Sequence, residues 1–249
     1  IPSEIRIIKK SDGIFEKAQK CVFSNFVVKE QRYFMDLMTM IMKMGEGLGK
    51  TCAIFFLTLL FSLPLGMIVA LLRKSKSKII SNVIKFCISV LRGTPLMLQL
   101  IAVTYGPYYL FGVGVSKNKL IPVVIAFAIN YAAYFAEIYR GGIESMSVGQ
   151  YEAAEVLGYT KTQTFIHIIL PQVIKRIMPS ITNEVVTLVK DTSMAFTVSY
   201  QEMFTIGKQI ANSQTSFTPF VVAGVFYLVF NAIVDFAMGR IEKRMNYYK

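Results

Sequence analysis

Charged side chains are scarce in this sequence. Asp, Glu, Lys and Arg make up only 17% of its 249 residues, whereas hydrophobic residues make up 54%. A soluble domain of this length carries more charge on its surface. Residues 53–72, 93–116 and 209–234 contain no acidic or basic side chain at all. Because about 20 apolar residues cross a bilayer as a helix, the sequence predicts an all-α integral membrane protein with several spans.

Cysteine and histidine are almost absent, which excludes most metal sites and disulfide frameworks. The three cysteines are odd in number and far apart: Cys21, Cys52 and Cys87. The single histidine, His167, has no cysteine or carboxylate at metal-ligand spacing, so we expect a surface or packing role for it and no bound metal.

The same scarcity argues against catalysis by this chain. No Ser-His-Asp set or pair of histidines is present. Gly49-Lys50-Thr51 looks like the end of a phosphate-binding loop, but Met44 stands where that loop needs its first glycine. We therefore expect no ATPase site, no catalytic residues and no cofactor bound by this chain.

Basic residues outnumber acidic ones, and the net charge is +12. A nucleic-acid binder is one explanation; basic loops on the cytoplasmic side of a membrane are a better one. We predict five spans, near 50–72, 95–112, 120–139, 176–198 and 218–238. The intervening segments 73–92, 140–176 and 240–249 are rich in Lys and Arg, whereas the other two loops hold only Lys117, Lys119 and Lys208. This asymmetry places the C-terminus in the cytoplasm and the N-terminus outside.

The chain divides into two parts on this basis. Residues 1–45 mix aromatic and basic side chains and are predicted to be an extracytoplasmic or interfacial leader, with a disordered leader as the alternative. Residues 46–249 form the transmembrane domain.

An amphipathic helix is predicted over residues 78–92. At 100° per residue, Lys78, Lys85 and Arg92 fall on one face and the apolar residues on the other. Such a helix suits a membrane surface with anionic lipid. Arg92 is expected to anchor there, with the lining of an inner vestibule as the alternative. Gly93-Thr94-Pro95 should end this helix, because proline lacks an amide donor and disfavours a helical conformation at Thr94.

Polar side chains line one face of each of two predicted spans. Ionisable groups at membrane depth are costly and usually face protein or a water-filled path. These residues could bind a substrate's charged groups, or pair with one another to hold the bundle. The candidates for substrate contact are Asn130, Tyr134, Glu137, Glu184, Thr187 and Asp191.

A mostly polar loop, residues 149–171, separates the third and fourth spans. Residues 149–157 are predicted to form a short helix that Gly158 ends with a positive φ. Thr160 is expected to cap a second helix, with Gln163 completing a capping box, and Pro171 to close the unit. Ala153 and Ala154 would allow close approach of a partner, and Glu152 could pair with a basic group.

This loop resembles the EAA loop of ABC-importer permeases, in which Glu-Ala-Ala, three residues, Gly and about nine residues precede Ile-x-Leu-Pro. The matching residues are Glu152, Ala153, Ala154, Gly158, Ile168, Leu170 and Pro171. Further stretches resemble the polar amino acid class of these permeases: Arg92-Gly93-Thr94-Pro95-Leu96, Tyr134-x-x-Glu137-x-x-Arg140-Gly141-Gly142-Ile143, Gly149-Gln150, Leu170-Pro171-Gln172 and Lys190-Asp191-Thr192-Ser193. Together the matches cover about residues 48–245.

The resemblance implies a type I importer permease with five transmembrane helices in a bacterial cytoplasmic membrane. A second permease copy or a paralogue would complete the pore. Cytoplasmic ATPase subunits would bind ATP and Mg, and an extracytoplasmic binding protein would deliver a polar amino acid. The coupling residues implied are Gln150, Glu152, Ala153, Ala154, Gly158, Leu170 and Pro171.

Two other functions were considered. An ion-coupled secondary amino acid transporter would need a coupling-ion site and usually inverted repeats, and a membrane-embedded enzyme would need a catalytic constellation. Neither feature is visible in the sequence. The amino acid carried, and the choice between homodimer and heterodimer, stay open.

Overall fold

The computed structural model describes the backbone of residues 2–245 and the side chains of residues 37–245. Every regular element in that part of the chain is helical. In chain order the elements are α1 (Pro2–Arg73), α2 (Lys78–Gly93), α3 (Leu96–Phe111), α4 (Leu120–Glu144), α5 (Val148–Val156), α6 (Lys161–Gln163), a π-helix (Thr164–Ile169), α7 (Leu170–Asp191), a 3-10 helix (Thr192–Val198), α8 (Met203–Gln214) and α9 (Thr218–Met245). Most of the leader predicted for residues 1–45, including Cys21, lies outside the described side chains.

Three stretches of the described chain are long and apolar enough to cross a membrane: Leu37–Arg73, Leu120–Glu144 and Thr218–Met245. The pair α2 and α3 meets the same criteria jointly, with a bend of 107° between its two helices. Counting that pair once gives four such segments by length and composition. The polar helix α7 is not among them, so five crossings stays a prediction.

The break between α2 and α3 falls where Gly93-Thr94-Pro95 predicts it. Thr94 has an extended backbone, with φ −113° and ψ 146°. The Gln99 amide donates hydrogen bonds to the Leu91 carbonyl at 2.8 Å and to the Thr94 hydroxyl at 2.8 Å. Asn130 of α4 donates to Gln99 Oε1 at 3.0 Å and to the Leu91 carbonyl at 3.2 Å. Two side-chain amides therefore donate to the Leu91 carbonyl, for which Pro95 offers no backbone N–H.

Helix α4 lies at the centre of the bundle. Its Phe127, Tyr131 and Phe135 are at most 2% exposed. Helix α1 packs against it closely at Gly66, where an added Cβ atom would lie 2.8 Å from Phe135 Cβ and 3.1 Å from the Ala132 carbonyl oxygen. Glycine is needed there because the backbones of the two helices leave no room for a side chain.

Helix α8 is fixed by a buried carboxylate. Glu202 is fully buried and caps α8, accepting hydrogen bonds from the amides of Phe204 (2.7 Å) and Thr205 (2.6 Å). The Tyr227 hydroxyl of α9 donates to the same carboxylate at 3.1 Å, and Thr51 of α1 accepts from the Met203 amide at 3.3 Å. Thr51 and Arg73 are separated by about 33 Å of helix, so α8 is attached inside α1, far from its Arg73 end.

We expect the substitution Gly66→Ala to lower the melting temperature of the purified chain by about 5 °C, because overpacking at a site lined by backbone atoms costs about 1–3 kcal/mol. Gly224→Ala is the matched control, since Gly224 also lies inside a long helix but has nothing within 4 Å of its Cβ position. Equal melting temperatures for the two variants would contradict the close α1–α4 contact.

Candidate functional site

The predicted loop helices are present, and the first of them ends in a Schellman motif. The Tyr159 amide donates to the Ala154 carbonyl and the Gly158 amide to the Glu155 carbonyl, both at 3.0 Å. Gly158 takes φ +76°, as expected for the glycine after a helix. An added Cβ at Gly158 would meet nothing within 4 Å, so the requirement for glycine there is one of backbone conformation alone.

The second loop helix begins with the predicted capping box. The Thr160 hydroxyl accepts from the Gln163 amide at 3.3 Å, and Gln163 Oε1 accepts from the Thr160 amide at 2.9 Å. The expectation that Pro171 closes the unit is wrong. The chain continues through the π-helix Thr164–Ile169 directly into α7, where Pro171 occupies the first turn. Proline has no backbone N–H to donate. It is tolerated there because the first turn of a helix, preceded by the wider π-helical turn, needs no hydrogen bond from that position.

The two alanines of the loop have different surroundings. Ala154 is 1% exposed and packs inward, whereas Glu152 and Ala153 are exposed. Close approach by a partner is therefore available at Ala153 and not at Ala154, because the protein's own packing covers Ala154. Exposed apolar side chains flank the exposed polar ones, with Val156 87% and Leu157 74% exposed.

A pair of glutamines joins the loop to α7. Gln150 and Gln172 exchange two hydrogen bonds of 2.8 Å, and Gln172 also donates to the Ile168 carbonyl at 2.8 Å. Leu170, at the start of α7, is half-buried. Burial raises the pKa of the neighbouring Tyr151 phenol above its usual value, so this side chain stays neutral. The loop is thus a folded unit attached to α7 by side-chain contacts as well as by the chain.

Glu137, a candidate for substrate contact, lies between two arginines. It forms ion pairs with Arg73 at the end of α1 and with Arg140, whose Nη2 is 2.8 Å from Glu137 Oε2. Arg140 also pairs with Glu144. The side chain of Glu137 is only 15% exposed. These ion pairs neutralise the charge of Glu137 and connect α1 to α4. They favour a structural role for Glu137.

A second cluster of charged and aromatic residues lies where α2, α4 and α7 meet. The Arg92 guanidinium is stacked 5.0 Å from the centroid of the Tyr134 ring. Arg92 also interacts electrostatically with Glu184, and Glu184 with Asp191. The Asp191 carboxylate accepts a hydrogen bond of 2.8 Å from the Tyr131 hydroxyl. The expectation that Arg92 anchors in lipid stays a prediction; Arg92 is exposed, and its guanidinium lies against the Tyr134 ring.

The six candidate residues thus separate into different environments. Tyr134, Glu184 and Asp191 belong to the Arg92 cluster. Thr187 is exposed on α7, and its hydroxyl donates to the Asn183 carbonyl at 2.8 Å. Asn130 is buried in the α2–α3 break.

Three residues that matter to these arrangements were missed in the sequence: Arg73, Gln99 and Glu202. Gln99 and Glu202 stand singly in apolar or mixed surroundings, and Arg73 looks like an ordinary residue at a helix end. The one available signal was a polar side chain close to a predicted break or helix start. Among the described residues, no group of three or more His, Cys, Asp or Glu side chains could hold a metal ion. His167 is exposed, with Nδ1 3.2 Å from the Gln163 carbonyl oxygen.

Residues 62–247 match the family model described as binding-protein-dependent transport system inner membrane component. The nopaline transport system permease of Agrobacterium fabrum is 34% identical over 203 residues, covering 78% of this chain and 83% of the relative. The L-cystine transport system permease of Bacillus subtilis is 35% identical over 203 residues, covering 80% and 85%.

Solved structures agree with these matches. An amino acid ABC transporter aligns with a TM-score of 0.77 and 30% identity, covering 85% of this chain and 98% of that one. The inward-facing methionine ABC transporter MetNI aligns with a TM-score of 0.66 at 18% identity, covering 84% and 97%, which supports the fold alone. The all-α, type I permease fold is confirmed, and these likenesses favour an importer permease over an ion-coupled secondary transporter. The chain therefore belongs to the inner membrane components of binding-protein-dependent transport systems, the permease subunits of ABC importers.

Proposed function

We propose that this permease carries a polar amino acid into the cytoplasm by alternating access, driven by ATPase subunits that dock on the loop of residues 149–171. The observation that carries the proposal is the shape of this loop: an exposed helical hairpin with its own capping interactions, joined to α7 through Gln150 and Gln172. Relatives named as nopaline and L-cystine permeases support an amino acid substrate.

In this mechanism the chain supplies the path and its partners supply the energy. ATP and Mg bind to the ATPase subunits, whose closure displaces the docked loops. The glutamine pair passes that displacement to α7, which carries Glu184 and Asp191. A second permease copy or a paralogue completes the path, and substrate affinity must differ between the inward-open and outward-open states for coupling.

The Arg92 cluster has the charges that recognition of an amino acid requires. Arg92 matches a carboxylate, and Glu184 matches an ammonium group. The Tyr134 ring lies against Arg92, Thr187 is exposed three residues after Glu184 on α7, and Asp191 is held by Tyr131. We assign substrate contact to Tyr134, Glu184 and Thr187, and supporting roles to Asn130, Glu137 and Asp191.

The proposed topology follows from the loop. ATPase docking places residues 149–171 and the Arg73 end of α1 in the cytoplasm, together with the C-terminus. The part of α1 around Thr51 and helix α8 then lie on the outer side, where an extracytoplasmic binding protein would deliver the substrate. The N-terminus is proposed to start outside, as the basic loops predict.

Coupling is tested by replacing Gly158 with Val and, as a matched control, with Asn. Because the Cβ position is open, the two variants differ mainly in tolerance of φ +76°. A β-branched residue is strongly disfavoured there, at a cost of about 1–2 kcal/mol or more, whereas Asn adopts this conformation readily. We expect Gly158→Val to lose about tenfold or more of substrate-stimulated ATP hydrolysis with its ATPase partner in proteoliposomes, and Gly158→Asn to retain most of it. Equal activity in both variants would contradict the docking role.

Substrate contact is tested by comparing Glu184→Gln with Glu137→Gln. We expect Glu184→Gln to raise the KM for uptake about tenfold, because a charge-assisted hydrogen bond is worth about 1.5–3 kcal/mol, without releasing the ATPase subunits. Glu137→Gln leaves Arg73 and Arg140 without their shared carboxylate, so it should lower the melting temperature and leave KM nearly unchanged. A KM change confined to Glu137→Gln would reverse the assignment.

A further inference from the structure

A cleft of about 520 Å³ lies between the Arg73 end of α1 and the helical hairpin of residues 149–171, which we call the coupling hairpin. Its apolar wall includes Leu71 of α1, Ile143 of α4 and Phe165 of the π-helix. Its charged residues are Lys74, Glu155 and Lys161. The cleft is distinct from the Arg92 cluster and shares no residue with it.

The charges in this cleft are unbalanced and unpaired. Lys74, Glu155 and Lys161 have no ion-pair partner within 4 Å among the described residues. The cleft therefore contains two ammonium groups against one carboxylate, beside the phenols of Tyr151 and Tyr159. Such a set of donors is suited to the oxygens of a phosphate group.

An exposed apolar stripe on α1 leads to the cleft. Phe61, Leu65, Ile68 and Leu72 follow the three- and four-residue spacing of one helix face and are 36–54% exposed. Leu71, in the cleft wall, is 50% exposed. Helix α1 is one of the helices long and apolar enough to span a membrane, and an apolar face left exposed on such a helix is suited to contact with lipid chains. The cleft lies next to the end of this face.

We propose that this cleft binds an anionic phospholipid of the cytoplasmic leaflet. Its phosphate would contact Lys74 and Lys161, and an acyl chain would lie along the stripe of Phe61, Leu65, Ile68 and Leu72. The bound lipid joins the end of α1 to the coupling hairpin through its headgroup. A free phosphate would use the lysines without the stripe, and a free amino acid would need Glu155 as well. The inference rests on the proposed orientation of the loop towards the cytoplasm.

The test is native mass spectrometry of the delipidated full-length chain in mild detergent, titrated with phosphatidylglycerol. We expect saturable binding of one lipid per chain, and no comparable binding of phosphatidylcholine. Lys74→Gln combined with Lys161→Gln should weaken binding roughly 10- to 30-fold, since each lysine near a membrane surface contributes about fivefold. The matched control, Lys78→Gln with Lys85→Gln, removes the same charge from α2 and should change binding less than threefold.

Several outcomes would overturn the proposal. Equal losses in both double variants would mean diffuse attraction to anionic lipid, and no loss in either would remove the lysines from any site. Inorganic phosphate or a free amino acid that competes at a concentration similar to phosphatidylglycerol would identify a soluble ligand instead. An ATPase partner that binds less tightly when Lys74 and Lys161 are replaced, with unchanged lipid binding, would make the cleft part of the protein interface.

A further variant keeps the test decisive if the lysine double variant fails to fold. Glu155→Gln removes the one opposing charge and should strengthen phosphatidylglycerol binding about threefold; unchanged or weaker binding would count against the site. Because lipid binding is measured without transport, a chain that binds phosphatidylglycerol but imports no amino acid would contradict the proposed function and leave this inference standing.

Discussion

The backbone hydrogen bond is the interaction on which this architecture depends. Inside a bilayer no water can hydrogen-bond to an unpaired backbone amide or carbonyl. A spanning chain therefore stays helical unless another protein group supplies the missing hydrogen bond. At the α2–α3 break the side-chain amides of Gln99 and Asn130 donate hydrogen bonds to the Leu91 carbonyl. At the start of α8 the buried carboxylate of Glu202 accepts hydrogen bonds from the backbone amides. Polar side chains thus stabilise both of these departures from regular helix.

Local physics explains which elements could be predicted from sequence. Pro95 favours an extended backbone at Thr94. The capping box needs only the Thr-x-x-Gln sequence and no contact with a distant part of the chain. Gly158 ends a helix for the same local reason. The contacts around Glu202 were beyond such reasoning. Tyr227, which donates to the Glu202 carboxylate, and Thr51, which accepts from the neighbouring Met203 amide, come from distant parts of the chain, and a lone glutamate carries no sign of them.

The candidate site shows the same limit more sharply. Glu137 and Glu184 look alike in sequence, each on the polar face of a predicted span. Long-range neighbours separate them: Arg73, 64 residues away, pairs with Glu137, whereas Glu184 faces Arg92. Helical periodicity identifies a face but not the charge opposite to it. Two glutamates that look alike in the sequence therefore have different charged neighbours in the structure.

The two side chains that join the loop to α7, Gln150 and Gln172, are both uncharged. An ion pair in that position would weaken in concentrated salt and would break when its acid took up a proton. Two neutral amides do neither. The hydrogen bonds between Gln150 and Gln172 therefore depend on no titrating group and on no screened charge.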